Sequence, residues 1–213
     1  MKLNESAAGV YIISATPFND SSQIDYDSAD RLVEFYLEHG VHGMTILGMM
    51  GEAPKLSSDE SHAFMTHMLE RVAQRVPVIV GVSNAGLSNI ASLSHAAMDQ
   101  GAAGVMIAPP GGLNTDEKLR GYFAQCFEAL GEQVPVCYQD FPLSTGVHLS
   151  ASLFLQLVED FRQLVMLKHE DWPGLNKLTK IRNAAGRRVS IPVSYTHLRA
   201  HETPEHLVCR LLL

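Results

Sequence analysis

One lysine stands apart by its neighbours. Lys168 closes the apolar run Leu164-Val165-Met166-Leu167 and is followed by His169, Glu170 and Asp171. A lysine at the end of such a run is usually a solvated edge charge or an ion-pair partner of Glu170; the functional alternative is a desolvated amine held among apolar side chains. In that case desolvation depresses its pKa, and the neutral amine can attack a ketone carbon. Three further segments carry unusual residues: Ala15-Thr16-Pro17-Phe18, Gly48-Met49-Met50-Gly51-Glu52, and Gln139-Asp140-Phe141-Pro142-Leu143-Ser144-Thr145-Gly146. Thr-Pro and Gly-x-x-Gly are also ordinary turn chemistry, so either alone says little. Asp140, Glu170 and Asp171 are candidate acid–base groups. Glu170 shares the face of Lys168 if the strand continues. Asp171 also suits a helix N-cap ahead of Trp172-Pro173-Gly174, the reading favoured here.

The elements that must position these groups follow a regular rhythm. Apolar, β-branched runs occur at Val10–Ala15, Gly43–Leu47, Pro77–Val82, Gly104–Ala108, Val134–Tyr138 and Leu164–Lys168, with starts spaced by 33, 34, 27, 30 and 30 residues. Segments of helical period lie between them, such as Leu32, Val33, Phe35, Tyr36 and His39, or Phe64, Met68, Leu69 and Val72. Ser57-Ser58-Asp59-Glu60 and Asn114-Thr115-Asp116-Glu117 read as helix starts. Gly40, Gly101, Gly131 and Gly186 read as helix stops. Continuous apolar strands alternating with helices imply an α/β fold with a parallel sheet, either an open doubly wound sheet or a closed (β/α)₈ barrel. No Gly-x-Gly-x-x-Gly follows the first strand, which weakens the dinucleotide-binding version. The unusual residues gather just after strand C-terminal ends, where either fold builds its site. Periodicity leaves the choice between them open.

Taken in order, four features resemble a known family: Thr16-Pro17 after strand one, Gly48-x-x-Gly51-Glu52 after strand two, Pro142-x-x-Thr145-Gly146 after strand five, and Lys168 ending strand six. The family is that of the Schiff-base-forming aldolases and lyases, which includes dihydrodipicolinate synthase and N-acetylneuraminate lyase. The resemblance runs from about Gly9 to about Ser190. It implies a (β/α)₈ TIM barrel, of which this chain supplies about six βα units and room for a seventh strand. It implies that Lys168 forms an imine with pyruvate or a similar 2-oxo acid. It further implies that Gly48, Met49, Met50 and Gly51 hold the substrate carboxylate, since closely spaced backbone N–H groups can form an anion-binding concavity. Thr16, Gln139 and Ser144 fall at other substrate-binding positions. No cofactor and no metal are implied, and the parent is expected to be a homodimer or homotetramer.

This chain also departs from the pattern. Met49 and Met50 replace the two threonines of the synthases' Gly-Thr-Thr-Gly-Glu. Gln139 falls where the synthases' Tyr-Asn-x-Pro-x-x-Thr-Gly segment carries its proton-relaying tyrosine, and a carboxamide cannot relay a proton as a phenol can. Tyr138, one residue earlier, should face the opposite side of the strand; only a one-residue slip would make it the catalytic phenol. Ser144 replaces an arginine, removing a carboxylate clamp, and Gly111 replaces an aromatic residue. The expected activity is therefore imine-based aldol-type addition or cleavage, or dehydration, of a 2-oxo acid, and not dihydrodipicolinate synthesis. Two alternatives stand beside it: a non-catalytic small-molecule-binding barrel and an inactive fragment.

Composition bounds the rest. The chain has 213 residues and a net charge of −7, which argues against nucleic acid or an anionic membrane surface as partner. Its apolar runs are too short for a membrane span of ~20 residues. The first residues, with Asn4 and Glu5, read as no secretory leader. Three cysteines without paired spacing suit a reducing cytoplasm. His197, His201 and His206, with Glu202, Glu205 and Cys209, imitate a zinc site. The rhythm breaks there, however, and the string resembles translated sequencing-adapter read-through. Residues 1–190 are therefore read as a partial barrel domain and 191–213 as a non-native tail. A complete barrel typically takes ~250 residues.

Overall fold

The structure, a computed structural model, describes residues 1–191. Six parallel strands form one sheet in sequential order: β1 (Tyr11–Ile13), β2 (Gly43–Ile46), β3 (Val78–Gly81), β4 (Gly104–Ile107), β5 (Val136–Asp140) and β6 (Leu164–His169). The intervening helices are α1 (Tyr26–Glu38), α2 (Ser58–Val72), α3 (Leu87–Asp99), α4 (Asp116–Leu130), the single-turn α5 (Pro142–Thr145), α6 (Ala151–Asp160) and α7 (Leu175–Ala185). Sequential parallel pairing with a helix after each strand is the arrangement of an incomplete (β/α)₈ barrel. A seventh strand begins but does not extend among the described residues: Ser190 forms a single parallel bridge to Met166 beside β6.

Local chemistry explains the helix boundaries. Ser57 and Glu60 form a reciprocal capping box at the start of α2. Thr115 and Ser150 cap α4 and α6 by accepting from Lys118 N and Leu153 N. Gly40, Gly101, Gly131 and Gly186 all follow helices with positive φ. Asp171 is not the N-cap of α7. That position belongs to Gly174, and the Asp171 carboxylate instead accepts from Lys177 Nζ at 3.1 Å.

The sheet separates two cores. Alternate strand residues pack outward against the helices, where Phe64, Phe123, Phe127, Tyr138, Phe154 and Leu167 are fully buried. Ile79, Met106, Cys137 and Met166 form a second cluster on the inner face, covered from below by Leu3. Such alternation fixes which residues can reach the barrel interior.

β5 starts and ends two residues later than the sequence suggests, so Gln139 and Asp140 belong to the strand rather than to the loop after it. The β5–β6 register also shifts. Val136 pairs with Leu164, but Cys137 pairs with Met166, leaving Val165 as an extra residue on β6. This bulge moves every later pairing by one residue and makes Gln139 the direct partner of Lys168.

Candidate active site

The inner face opens into a cavity of about 1210 Å³ whose wall includes Ile13, Thr45, Ile79, Met106, Cys137 and Lys168. Each strand contributes to that wall, and Lys168 is its one lysine. Lys168 is 7% exposed and Glu170 5%. Lys168 Nζ lies 2.5 Å from Glu170 Oε2, and Gln139 Nε2 donates to the same oxygen at 2.9 Å. Lys168, Gln139 and Glu170 thus form a compact polar group at the C-terminal ends of β5 and β6, with apolar residues beneath it. Of the local readings of Lys168, the solvated edge charge is excluded by burial, while the ion pair with Glu170 is present inside the barrel.

Tyr138 is elsewhere. Its ring stacks on Phe123 with centroids 4.5 Å apart and meets Phe154 edge-on. It therefore faces the helices, on the opposite side of the sheet from Lys168, because adjacent strand residues alternate. The slip that would have brought Tyr138 to the site does not occur, since the bulge at Val165 sets Gln139 opposite Lys168. Burial also pushes the Tyr138 phenol well above its usual pKa.

The loops after β1 and β2 are joined. The buried Thr16 hydroxyl donates to Gly51 O at 2.7 Å. Leu47 and Glu52, both with φ of 53°, bracket the Gly48–Gly51 turn in the left-handed region. Non-glycine residues held there carry strain that the surrounding structure must over-determine. Part of that support is Gly81, where an added Cβ would stand 2.0 Å from Leu47 O. Gly48 and Gly51 are buried, Met49 is half-buried, and Met50 is exposed. Ser144 lies on α5 and is exposed, so it does not join the Lys168 group.

A second polar group sits behind the first, on the helix side of the same strands. Asp140 Oδ2 accepts from Lys177 Nζ at 2.6 Å and lies 2.9 Å from His169 Nδ1. Asp140 and His169 are a direct cross-strand pair. Gly174 lets the start of α7 approach, because a Cβ there would stand 2.2 Å from His169 Nε2. Sequence reasoning treated Asp140 as an acid–base candidate and missed Lys177. The only available signal was a lysine one turn into the helix after strand six.

Cys137 lines the cavity, but burial raises its thiol to about 12 even though Lys168 nearby opposes the shift. Burial likewise raises Cys126 to about 11. Both stay protonated at neutral pH, so neither is a nucleophile. Treating the native protein with iodoacetamide at neutral pH is expected to leave both unmodified in a peptide map, while denatured protein is alkylated at both. Among the described residues no group of three or more His, Cys, Asp or Glu is arranged to hold a metal ion, and no helix is long and apolar enough to cross a membrane. The histidine-rich segment from His197 to His206, and all but the first residue of the expected tail, lie outside the described residues.

Comparison with known proteins gives this geometry a family. A model described as the dihydrodipicolinate synthetase family matches residues 6–195. The 4-hydroxy-tetrahydrodipicolinate synthase of Kosmotoga olearia is 28% identical over 209 residues, covering 91% of this chain and 64% of that protein. The L-2-keto-3-deoxyarabonate dehydratase of Azospirillum brasilense is 30% identical over 188 residues, covering 86% and 60%. The crystal structure of dihydrodipicolinate synthase from Rhodopseudomonas palustris matches with a TM-score of 0.87 and 46% identity, covering 91% of this chain and 65% of that one. The chain thus spans just under two thirds of the length of these relatives. Six βα units in sequential parallel order and a family match over most of the chain agree: the protein belongs to the dihydrodipicolinate synthetase family.

Proposed function

We propose that the protein is a lyase-type member of this family that binds a pyruvate-like 2-oxo acid and forms an imine with it through Lys168. The observation that carries the reading is the buried amine of Lys168 on the cavity wall, paired with a carboxylate and bordered on the inner face by Met106, Cys137 and Met166. An amine so enclosed is a nucleophile once it loses its proton, and the resulting iminium withdraws electrons from the neighbouring carbon. The strained Gly48–Gly51 turn, braced by Thr16, is suited to receive the substrate carboxylate on backbone amides. In this reading Met49 and Met50 supply backbone donors only.

The reaction is aldol-type addition or cleavage, or dehydration, and not dihydrodipicolinate synthesis. Two features support this. Gln139, not a phenol, sits opposite Lys168, and Ser144 stands where the synthases carry an arginine. The similarity to a protein named as a 2-keto-3-deoxy acid dehydratase supports dehydration in particular. The reading carries with it a homo-oligomeric parent and a cytoplasmic setting.

The test is reductive trapping. Incubating the chain with pyruvate and borohydride is expected to add the mass of pyruvate less one oxygen atom to the intact protein. Cooperatively melting protein that acquires no adduct contradicts the proposal. Pyruvate binding without an adduct would make the chain a binding module instead.

A further inference from the structure

An imine-forming lysine needs a partner that moves protons. It must lose one to become nucleophilic, the carbinolamine must gain one to release water, and the carbon next to the iminium must give one up. The groups around Lys168 can be sorted for this task. Gln139 is a carboxamide and neither releases nor takes a proton at working pH. Tyr138, Asp140 and His169 lie on the helix side of the sheet. Cys137 faces the cavity, but burial holds it as a thiol. Glu170 remains. Its Oε2 lies 2.5 Å from Lys168 Nζ, and the residue is 5% exposed. Gln139 Nε2 donates to that oxygen at 2.9 Å, which holds the carboxylate on the lysine's side of the strand.

We propose, resting on the imine reading above, that Glu170 is the catalytic proton-transfer residue of this site and that Gln139 is its positioning residue. Glu170 carboxylate takes a proton from the Lys168 ammonium, leaving a neutral amine and a carboxylic acid. The amine nitrogen bonds to the ketone carbon, and a proton passes from nitrogen to the former carbonyl oxygen, giving a neutral carbinolamine. Glu170 then returns its proton to the hydroxyl, the C–O bond breaks, water leaves, and the nitrogen lone pair forms the iminium. The carboxylate, restored, removes a proton from the adjacent carbon, and the C–H electrons form the enamine. Up to the iminium, ammonium and ketone become iminium and water with Glu170 restored as carboxylate; the enamine step leaves a proton on Glu170, which exchanges with solvent and is returned to the carbon. The two residues following the lysine matter in an unequal way. His169 turns to the helices, and Glu170, just past the end of β6, returns to the side of Lys168 and Gln139.

A purely structural Glu170 would only balance the lysine's charge, and two readouts separate the roles. One is borohydride trapping of pyruvate, which reports imine formation. The other is replacement of pyruvate methyl hydrogens by deuterium in D₂O, followed by NMR, which reports proton removal from carbon. Glu170→Gln is expected to slow trapping, with the same adduct still reached on long incubation, while exchange falls by about 10²–10⁴-fold, the usual worth of a positioned acid–base group. Gln139→Leu is expected to slow exchange less and leave trapping intact. Exchange at the wild-type rate in folded Glu170→Gln overturns the proposal. Where Glu170→Gln does not melt cooperatively, Glu170→Ala with added formate decides: exchange that depends on formate supports the proposal, and wild-type exchange without formate overturns it. A wild-type chain that traps no pyruvate overturns the imine reading itself, a result distinct from trapping with unaltered exchange.

Discussion

Lys168→Ala is expected to abolish the pyruvate adduct altogether, with no residual slow trapping at a neighbouring lysine. Lys177, the other lysine largely enclosed by the fold, sits on the helix side of the sheet and is held by Asp140 and Asp171. Lys55 pairs with Glu52 at the surface, and Lys118 bonds Asn114 at an exposed helix start. None of them reaches the cavity wall that Lys168 occupies. The substitution carries a second effect on stability. Glu170 is 5% exposed and would lose its ionic partner, and breaking a buried pair from one side costs about 3–5 kcal/mol. Removing both charges, as in Lys168→Met with Glu170→Leu, should recover much of that loss without restoring trapping. Urea unfolding of the single and double variants checks the stability claim, and intact mass after borohydride reduction checks the chemistry. A double variant no more stable than the single ones would show that the pair's geometry is not what Glu170 needs.

Asp140→Ala is expected to destabilise the protein as strongly as Lys168→Ala, again by about 3–5 kcal/mol. Asp140 is 1% exposed, and one of its oxygens serves both His169 and Lys177. Its backbone carbonyl also accepts from Glu170 N at 2.8 Å, so this residue ties β5 to β6 where the Lys168 group is assembled. Truncation leaves Lys177 with Asp171 and takes away the carboxylate beside His169 Nδ1. Asp140→Asn keeps the shape and loses the charge, and about 1–3 kcal/mol is expected for it. Denaturant midpoints for the two variants should fall in that order. An Asp140→Ala protein as stable as wild type would mean that the cluster contributes nothing to holding the strands.

The fold was largely legible because its signals are local. Six apolar runs at near-regular spacing, helix caps such as Ser57 with Glu60, and glycines such as Gly101 after helices need only neighbouring residues to be read. The ordered set Thr16-Pro17, Gly48-x-x-Gly51, Thr145-Gly146 and Lys168 then pointed to the family. Register was not legible. Nothing in the composition of Leu164–Lys168 announces that Val165 is an extra residue, yet that bulge decides that Gln139 rather than Tyr138 accompanies the lysine side. Polar residues usually mark a loop, so Gln139 and Asp140 suggest that β5 ends before them; in the structure Gln139 donates to Glu170, just beyond β6, and Asp140 accepts from Lys177 of α7. Asp171 followed the same logic in reverse. It had the composition of a helix cap, but Pro173 and Gly174 delay the helix, and Lys177 claims its carboxylate. Partners far apart in sequence set each of these outcomes, and residue type at one position does not reveal them.

The central claim is that the enclosed amine of Lys168 is the group that bonds to a 2-oxo acid. Its most direct test is to reduce the wild-type protein with borohydride in the presence of pyruvate, digest it, and locate the added mass by peptide sequencing. The adduct is expected on Lys168 alone, in the peptide that also contains Glu170. An adduct on Lys177 or on a surface lysine, with Lys168 unmodified, would contradict the account.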